Sequence, residues 1–164
     1  MNPVRVRPAE RRDAVTIVRF TNGLVSDHRP GAQAGVTLED VERNGFGADP
    51  LFEALIAEVS GRPVGLLSFF RGYAGWRGKA VAIVHAIYVD PAARRLGVAR
   101  QLMARVALIA VQRGWARVEL FVEEHRPAIQ FYEDIGMIDM RHRHMRLGGT
   151  ELSAMAMEGQ ADAR

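Results

Sequence analysis

The chain of 164 residues predicts a mixed α/β (α+β) fold built around one sheet. Three observations predict it. Apolar, strand-like runs and helix-period stretches follow in the order β-α-α-β-β-β-α-β-α-β, two of the strand runs meet at "SGRP", a hairpin signal, and the fourth and fifth flank a helix, which makes them parallel. "VRVRP" (4–8) alternates and stops at a proline, as a short strand does. "RRDAVTIVRFTNGLV" (11–25) puts Ala14, Ile17, Val18, Thr21 and Val25 at helical spacing, and "RPGAQAG" (29–35) is loop chemistry. "TLEDVERNGFG" (37–47) opens with Thr37 and carries Asp40 three residues later, a capping-box start for a helix ending near Gly45. "LFEALIAEV" (51–59) and "RPVGLLSFFRGY" (62–73) are the hairpin strands, "AGWRGK" (74–79) turns the chain, and "AVAIVHAIYV" (80–89) is apolar enough for a sheet centre.

From Gly97 to Arg113, Val98, Leu102, Val106, Ile109 and Ala110 line one face of a helix that stops at Gly114. "ARVELFVE" (116–123) reads as another buried strand. "RPAIQFYEDIGM" (126–137) is a short helix with proline in its first turn and Gly136 past its end, and "RHRHMRL" (141–147) alternates as a closing strand.

Composition removes several chemistries. Hydrophobic residues at 48% and charged residues at 25% are those of an ordinary globular chain, with length for one domain spanning 1–164. No apolar run reaches the roughly 18 residues of a membrane span. The start, "MNPVRVRPAERRD", lacks a signal peptide's apolar stretch, so a cytoplasmic location and no membrane partner are expected. Zero cysteines excludes disulfides, thiolate–metal sites and a cysteine nucleophile. The pI of about 9.9 comes with a net charge of only +3, because Lys79 is the only lysine and arginine does not titrate. With no basic block interleaved with aromatics, no nucleic-acid partner is expected.

"DPAARRLGVARQLM" (90–103) places two arginines and a glycine where a helix begins, directly after a strand. A helix N-terminus offers unpaired N–H groups and partial positive charge, so a strand entering it through small residues makes an anion seat. Gly97 lets the main chain approach closely, Ala99 keeps the first turn thin, and Arg94 and Arg95 add charge that pairs with phosphate. A solvated face beside an ordinary helix start is the competing reading.

The pattern V-x-x-x-x-R-x-x-G-x-A (89–99) resembles the acyl-CoA pyrophosphate motif of the GNAT superfamily of N-acetyltransferases. A second hallmark of that superfamily is matched at the right distance by "HRPAIQFYEDIGM" (125–137). "TLEDVERNGFGADPLFEALIAEV", "GWRGK", "IYVDPAARRLGVA", "AIQFYEDIGM" and "RLGGTELSAMA" together resemble its diamine (spermidine/spermine-type) branch over essentially the whole chain. The resemblance implies a central, mostly antiparallel sheet flanked by helices, with parallel strands 4 and 5 splayed, usually at a bulge. It implies acetyl-CoA as co-substrate, no metal, and a homodimer. Its pantetheine would bond to Ile87, Tyr88 and Val89, and its pyrophosphate would lie on the turn Arg94, Arg95, Leu96, Gly97, Val98, Ala99 and Arg100. Ile87 N–H is then the candidate oxyanion donor.

Tyr132 matches the superfamily tyrosine whose hydroxyl reaches the departing sulfur; without the motif it reads as a core tyrosine. Polyamine-acetylating relatives carry an acidic pair on the fourth strand, where this chain has His85 and Ala86. One imidazole and a methyl group do not attract a polycation as two carboxylates do. His85 is either the base for the amine, directly or through water, or a buried, hydrogen-bonded histidine between strands. His125 stands where the motif usually has asparagine. Trp76, His28 and Glu123 are candidates for the amine side, with Glu124 beside the last, while His142 and His144 alternate but lack a third metal ligand. The leading expectation is acetyl transfer from acetyl-CoA to a primary amine of a small molecule, by direct attack in a ternary complex. The alternatives are a protein amine as acceptor, or an acyl-CoA sensor without turnover.

Overall fold

In a computed structural model, residues 3–123 and 126–161 are described. The chain forms two compact units, Met1–Phe121 and Val122–Arg164.

The first unit carries a five-stranded sheet in the order β1 (Val4–Pro8), β2 (Glu53–Val59), β3 (Arg62–Ala74), β4 (Lys79–Val89), β5 (Val118–Leu120). The first four strands are antiparallel neighbours, and β4 and β5 are parallel, as the crossover helix requires. Ser60 and Gly61, both at positive φ, make the two-residue turn that "SGRP" announced. α1 (Ala14–His28) and α2 (Leu38–Phe46) lie against one face of the sheet. There Ala14, Ile17, Phe20 and Val41 meet Ala54, Ile56, Leu66 and Tyr88 in one buried cluster. Thr37 and Asp40 close the expected capping box on α2, each satisfying the other's backbone N–H. The loop between the two helices is pinned where Asn22 accepts the Ala34 N–H at 2.8 Å.

α3 (Val98–Gln112) covers the opposite face, burying Val98, Leu102, Met103, Val106 and Ala110, and Gly114 at φ +67° ends it. It approaches so closely at Gly65 that a Cβ there would stand 2.9 Å from Val98 Cγ1. At the sheet's other end, Arg7 clamps β1 to the start of α1: its guanidinium donates to both Asp13 oxygens (2.6 and 2.9 Å) and to Glu58 (2.9 Å). Chiefly through the Arg7 hydrogen bond, the nearly buried Asp13 carboxyl is held below the usual carboxylate range.

In the second unit, α4 (Ala128–Asp134) follows Pro127, with Gly136 at φ +92° past its end, and α5 (Gly149–Ala161) follows later. Two expectations are corrected. The buried strand expected over 116–123 is only Val118–Leu120 and half-buried, because it pairs with β4 only opposite Ala82–Val84; Phe121 and Val122 are exposed. The closing strand expected over 141–147 is absent: these residues are exposed throughout, and alternation without a buried face does not hold a strand.

Candidate active site

The site begins with an irregularity in β4. Ser68 of β3 pairs with Ala86, but Phe69 pairs with Val84, so His85 is the extra residue of a β-bulge. A bulge reverses which edge the following N–H groups face. Before it, Ala82 N–H donates to the Arg117 carbonyl at 3.0 Å, toward β5. After it, Asp90 N–H donates to the Val64 carbonyl at 2.9 Å, toward β3. Counting back from Asp90, the N–H groups of Ile87 and Val89 point away from β3. The β4–β5 ladder ends at Val84, so among the described residues that edge of β4 carries no strand beyond the bulge. His85 is exposed, which removes the alternative of a buried histidine between strands.

Tyr88 turns its ring the other way. It is 9% exposed, tilted against Phe20 with ring centroids 5.4 Å apart, and packed so tightly under α1 that a Cβ on Gly23 would lie 2.5 Å from its Cζ. Burial first, then the negative charge of Asp90 and Asp27, pushes its phenol above the usual value. Ile87 and Val89 are half-buried.

The turn after β4 is built in steps. Ala93 N–H donates to the Asp90 carbonyl at 2.8 Å and Arg94 N–H to that of Pro91 at 3.3 Å. Arg95 follows at φ +66° and Gly97 at φ +78°. The glycine answers the backbone, not crowding, since a Cβ there would meet nothing within 4 Å. No N-cap side chain accepts from the first-turn N–H groups of α3. Val98 is buried, Ala99 half-buried, and Arg95, Leu96, Gly97 and Arg100 are exposed. Leu96, Gly97, Arg100 and Gln101 also line a groove of about 460 Å³ with Pro3, Val4 and Val59. An uncapped helix start beside the exposed Arg95 and Arg100 suits a diphosphate in charge and donor set.

Arg94 is the exception within the turn. Its Nε donates to the Val89 carbonyl at 3.1 Å, and its Nη2 donates to Asp27 in the last turn of α1 at 2.5 Å. The sequence offered no local sign of Asp27, 67 residues away. Gly23 did have one, a lone glycine inside a helical pattern, which marks a close approach.

Two of the remaining candidates, His28 and Trp76, lie at opposite ends of β4. His28, exposed, ends α1 beside Asp27, at the turn end of β4. Trp76, fully exposed in a 3-10 turn (Gly75–Arg77), precedes the other end of β4. With eleven residues of strand between them, at about 3.3 Å per residue, the two cannot hold one amine group. In the second unit, Glu123 is exposed and paired with Arg126 at 2.6 Å. Tyr132 is 9% exposed, next to Phe131 with ring centroids 5.3 Å apart, and burial pushes its hydroxyl above the usual value. His125, with Glu124, lies outside the described residues. His142 and His144 are exposed, and among the described residues no group of three or more His, Asp or Glu is placed to hold a metal. Nor is any described helix long and apolar enough to cross a membrane.

Comparison with known proteins places the chain in a family and agrees with its fold. The model of the acetyltransferase (GNAT) family matches residues 22–137, from α1 through β4 and the turn to α4. A thialysine N-epsilon-acetyltransferase from Bos taurus is 26% identical over 146 residues, covering 84% of this chain and 85% of the relative. A human spermidine/spermine N(1)-acetyltransferase-like protein 1 is 29% identical over 96% of this chain and 24% of its own length. Among solved structures, an integron cassette protein from the mobile metagenome of V. cholerae superposes with a TM-score of 0.79 at 19% identity, over 93% of this chain and 97% of that one, a likeness of fold. Matched by the family model over most of its length, from the first long helix to the tyrosine helix, this chain belongs to the GNAT acetyltransferase family and is an acetyl-transferring enzyme.

Proposed function

We propose that the chain moves an acetyl group from acetyl-CoA to a primary amine of a small molecule, by direct attack in a ternary complex. The observation that carries this is the bulge at His85, which turns the N–H groups of Ile87 and Val89 toward an open edge immediately before the uncapped turn. Ile87 and Val89 would bond the pantetheine through the main chain; Tyr88, expected to share that role, has its main-chain groups turned to β3 and its ring committed to α1, so it would only hold the two in place. The amides of residues 95–99, with the guanidinium groups of Arg95 and Arg100, would hold the diphosphate, the Arg94 N–H being taken by the Pro91 carbonyl. Ile87 N–H, held by the strand, faces the carbonyl oxygen as it gains charge.

The amine must lose a proton before it can attack, and His85, exposed at the bulge, accepts it directly or through water. The departing sulfur needs a proton in return. Tyr132, whose hydroxyl burial keeps protonated, is the donor by its place in the motif, with His125 a further coenzyme contact. The acceptor side is assigned to His28 or Trp76, not to both, and to Glu123 only if Arg126 releases it. The bovine relative's name, an N-epsilon-acetyltransferase of thialysine, supports an amine on a side chain as acceptor. The single catalytic domain spans 1–164, a reading supported by a family match that crosses the boundary between the units. It works without a metal, in the cytoplasm, as a homodimer; exposed Met140, Met145, Leu147, Leu152 and Met155 support an interface in the second unit.

The test follows thiol release when the protein is mixed with acetyl-CoA and a panel of amino acids, polyamines, aminoglycosides and peptides. Release that depends on a small primary amine is expected. Tyr132→Phe should lower kcat by about 10- to 100-fold with the acetyl-CoA KM nearly unchanged. Binding of acetyl-CoA with no release for any amine would mark a sensor instead, and release with peptides alone would mark a protein acetyltransferase.

A further inference from the structure

We propose that Asp27 is a positioning residue for the coenzyme turn, holding Arg94, and through it the left-handed Arg95, so that the amides of residues 95–99 face one way. This rests on the reading that the turn seats the coenzyme diphosphate.

Arg94 sits on an exposed turn, yet its guanidinium is tied at two points. One is the carbonyl of Val89, the last residue of β4, and the other is the carboxylate of Asp27 on α1. The first bond closes the loop from residue 89 to residue 94 on itself. The second fixes that loop to a separate element. Asp27 is a firm post, because two turns of α1 just before it are locked to β4: Phe20 lies against the Tyr88 ring, and Gly23 admits that ring where any Cβ would collide.

The next residue shows why a tie is needed. Arg95 is not glycine and stands at φ +66°, a conformation that persists only where surrounding structure over-determines it. Upstream, main-chain bonds extend as far as the Arg94 N–H, and downstream the helix starts at Val98. The Arg94 side chain is what anchors the chain between them. It also divides the arginines by task. Arg94 is occupied, while Arg95 and Arg100 are exposed and form no ion pair among the described residues.

A half-exposed ion pair adds little to folding stability, so a positioning role and a structural one part company in what they move. A third role, in which Asp27 merely neutralises Arg94, gives the opposite sign: its removal would free a guanidinium and tighten the coenzyme. The experiment compares wild type, Asp27→Asn and Asp27→Glu by calorimetry with coenzyme A, by kcat and acetyl-CoA KM, by melting temperature, and by amide hydrogen exchange at residues 95–99.

For Asp27→Asn we expect the coenzyme Kd and acetyl-CoA KM to rise about tenfold with kcat within about twofold, and faster exchange at the turn. The melting temperature should fall by less than about 4 °C, and Asp27→Glu should recover most of the affinity. Unchanged or tighter coenzyme binding with unchanged exchange overturns the proposal. If the wild-type protein binds no coenzyme A, the functional reading fails by itself. The exchange comparison then still decides the clamp: faster turn amides in Asp27→Asn uphold it, and unchanged ones sink it.

Discussion

The two halves of β4 read alike and behave differently. Before His85, residues 80–84 are hydrogen-bonded to β3 on one side, with β5 joining at Ala82–Val84 on the other, and Val81, Ala82 and Val84 are buried. After it, Ala86–Val89 keep β3 as a partner and lose β5, although "AIYV" is as apolar as "AVAIV". What separates structure from function in this strand is one inserted residue, not a change in composition. The paired half supplies the rigid sheet, and the freed half turns main-chain N–H groups to an edge without a strand, where the proposed function puts the pantetheine.

Deleting His85 should have the largest effect. The bulge would close into an unbroken ladder in which Ala86–Val89 keep their β3 partners, and the bend and extra twist that a bulge gives the strand would be lost. Loss of the folded protein, read by circular dichroism, or of all coenzyme binding is expected; a folded deletion variant that still binds would break the comparison. In the paired half, Phe69 is fully buried, faces Val84 across the ladder and meets Trp115 edge-on. Phe69→Ala should cost about 3–5 kcal/mol in denaturant unfolding while the folded fraction binds coenzyme A normally. In the freed half the pattern inverts. His85→Ala keeps the extra residue, so stability and coenzyme affinity should hold, while kcat at neutral pH falls by about 10²-fold.

The smallest effect near neutrality belongs outside both halves. Asp13 is held below the ordinary carboxylate value, so its pairing with Arg7 contributes fully above about pH 4 and is lost as pH falls through its lower folded value. Wild type should therefore lose stability in acid more steeply than Asp13→Asn, while the pH dependence of kcat keeps its shape. A shared acid limb would tie the two regions together.

What could be read from the sequence was local. Thr37 and Asp40 stand three residues apart, the "SGRP" turn carries its own backbone demand, and Val98, Leu102, Val106 and Ala110 repeat along one helix face. The motif glycine and its arginines were legible for the same reason. The length of β5 is not legible, because "VELFV" shows apolarity but not where pairing with β4 ends. The bulge itself exists only as a mismatch between β3 and β4, and Asp27 meets Arg94 across 67 residues, so neither leaves a mark on its neighbours. Trp76 and His28 shared a chemistry but not an end of the strand.

The most direct measurement is a pair of calorimetric titrations, coenzyme A against pantetheine, which lacks the diphosphate. If the amides at the start of α3 grip the diphosphate and β4 beyond His85 receives the pantetheine arm, coenzyme A binds and pantetheine alone loses most of the affinity. No heat with coenzyme A, or equal binding of the two, would contradict the account.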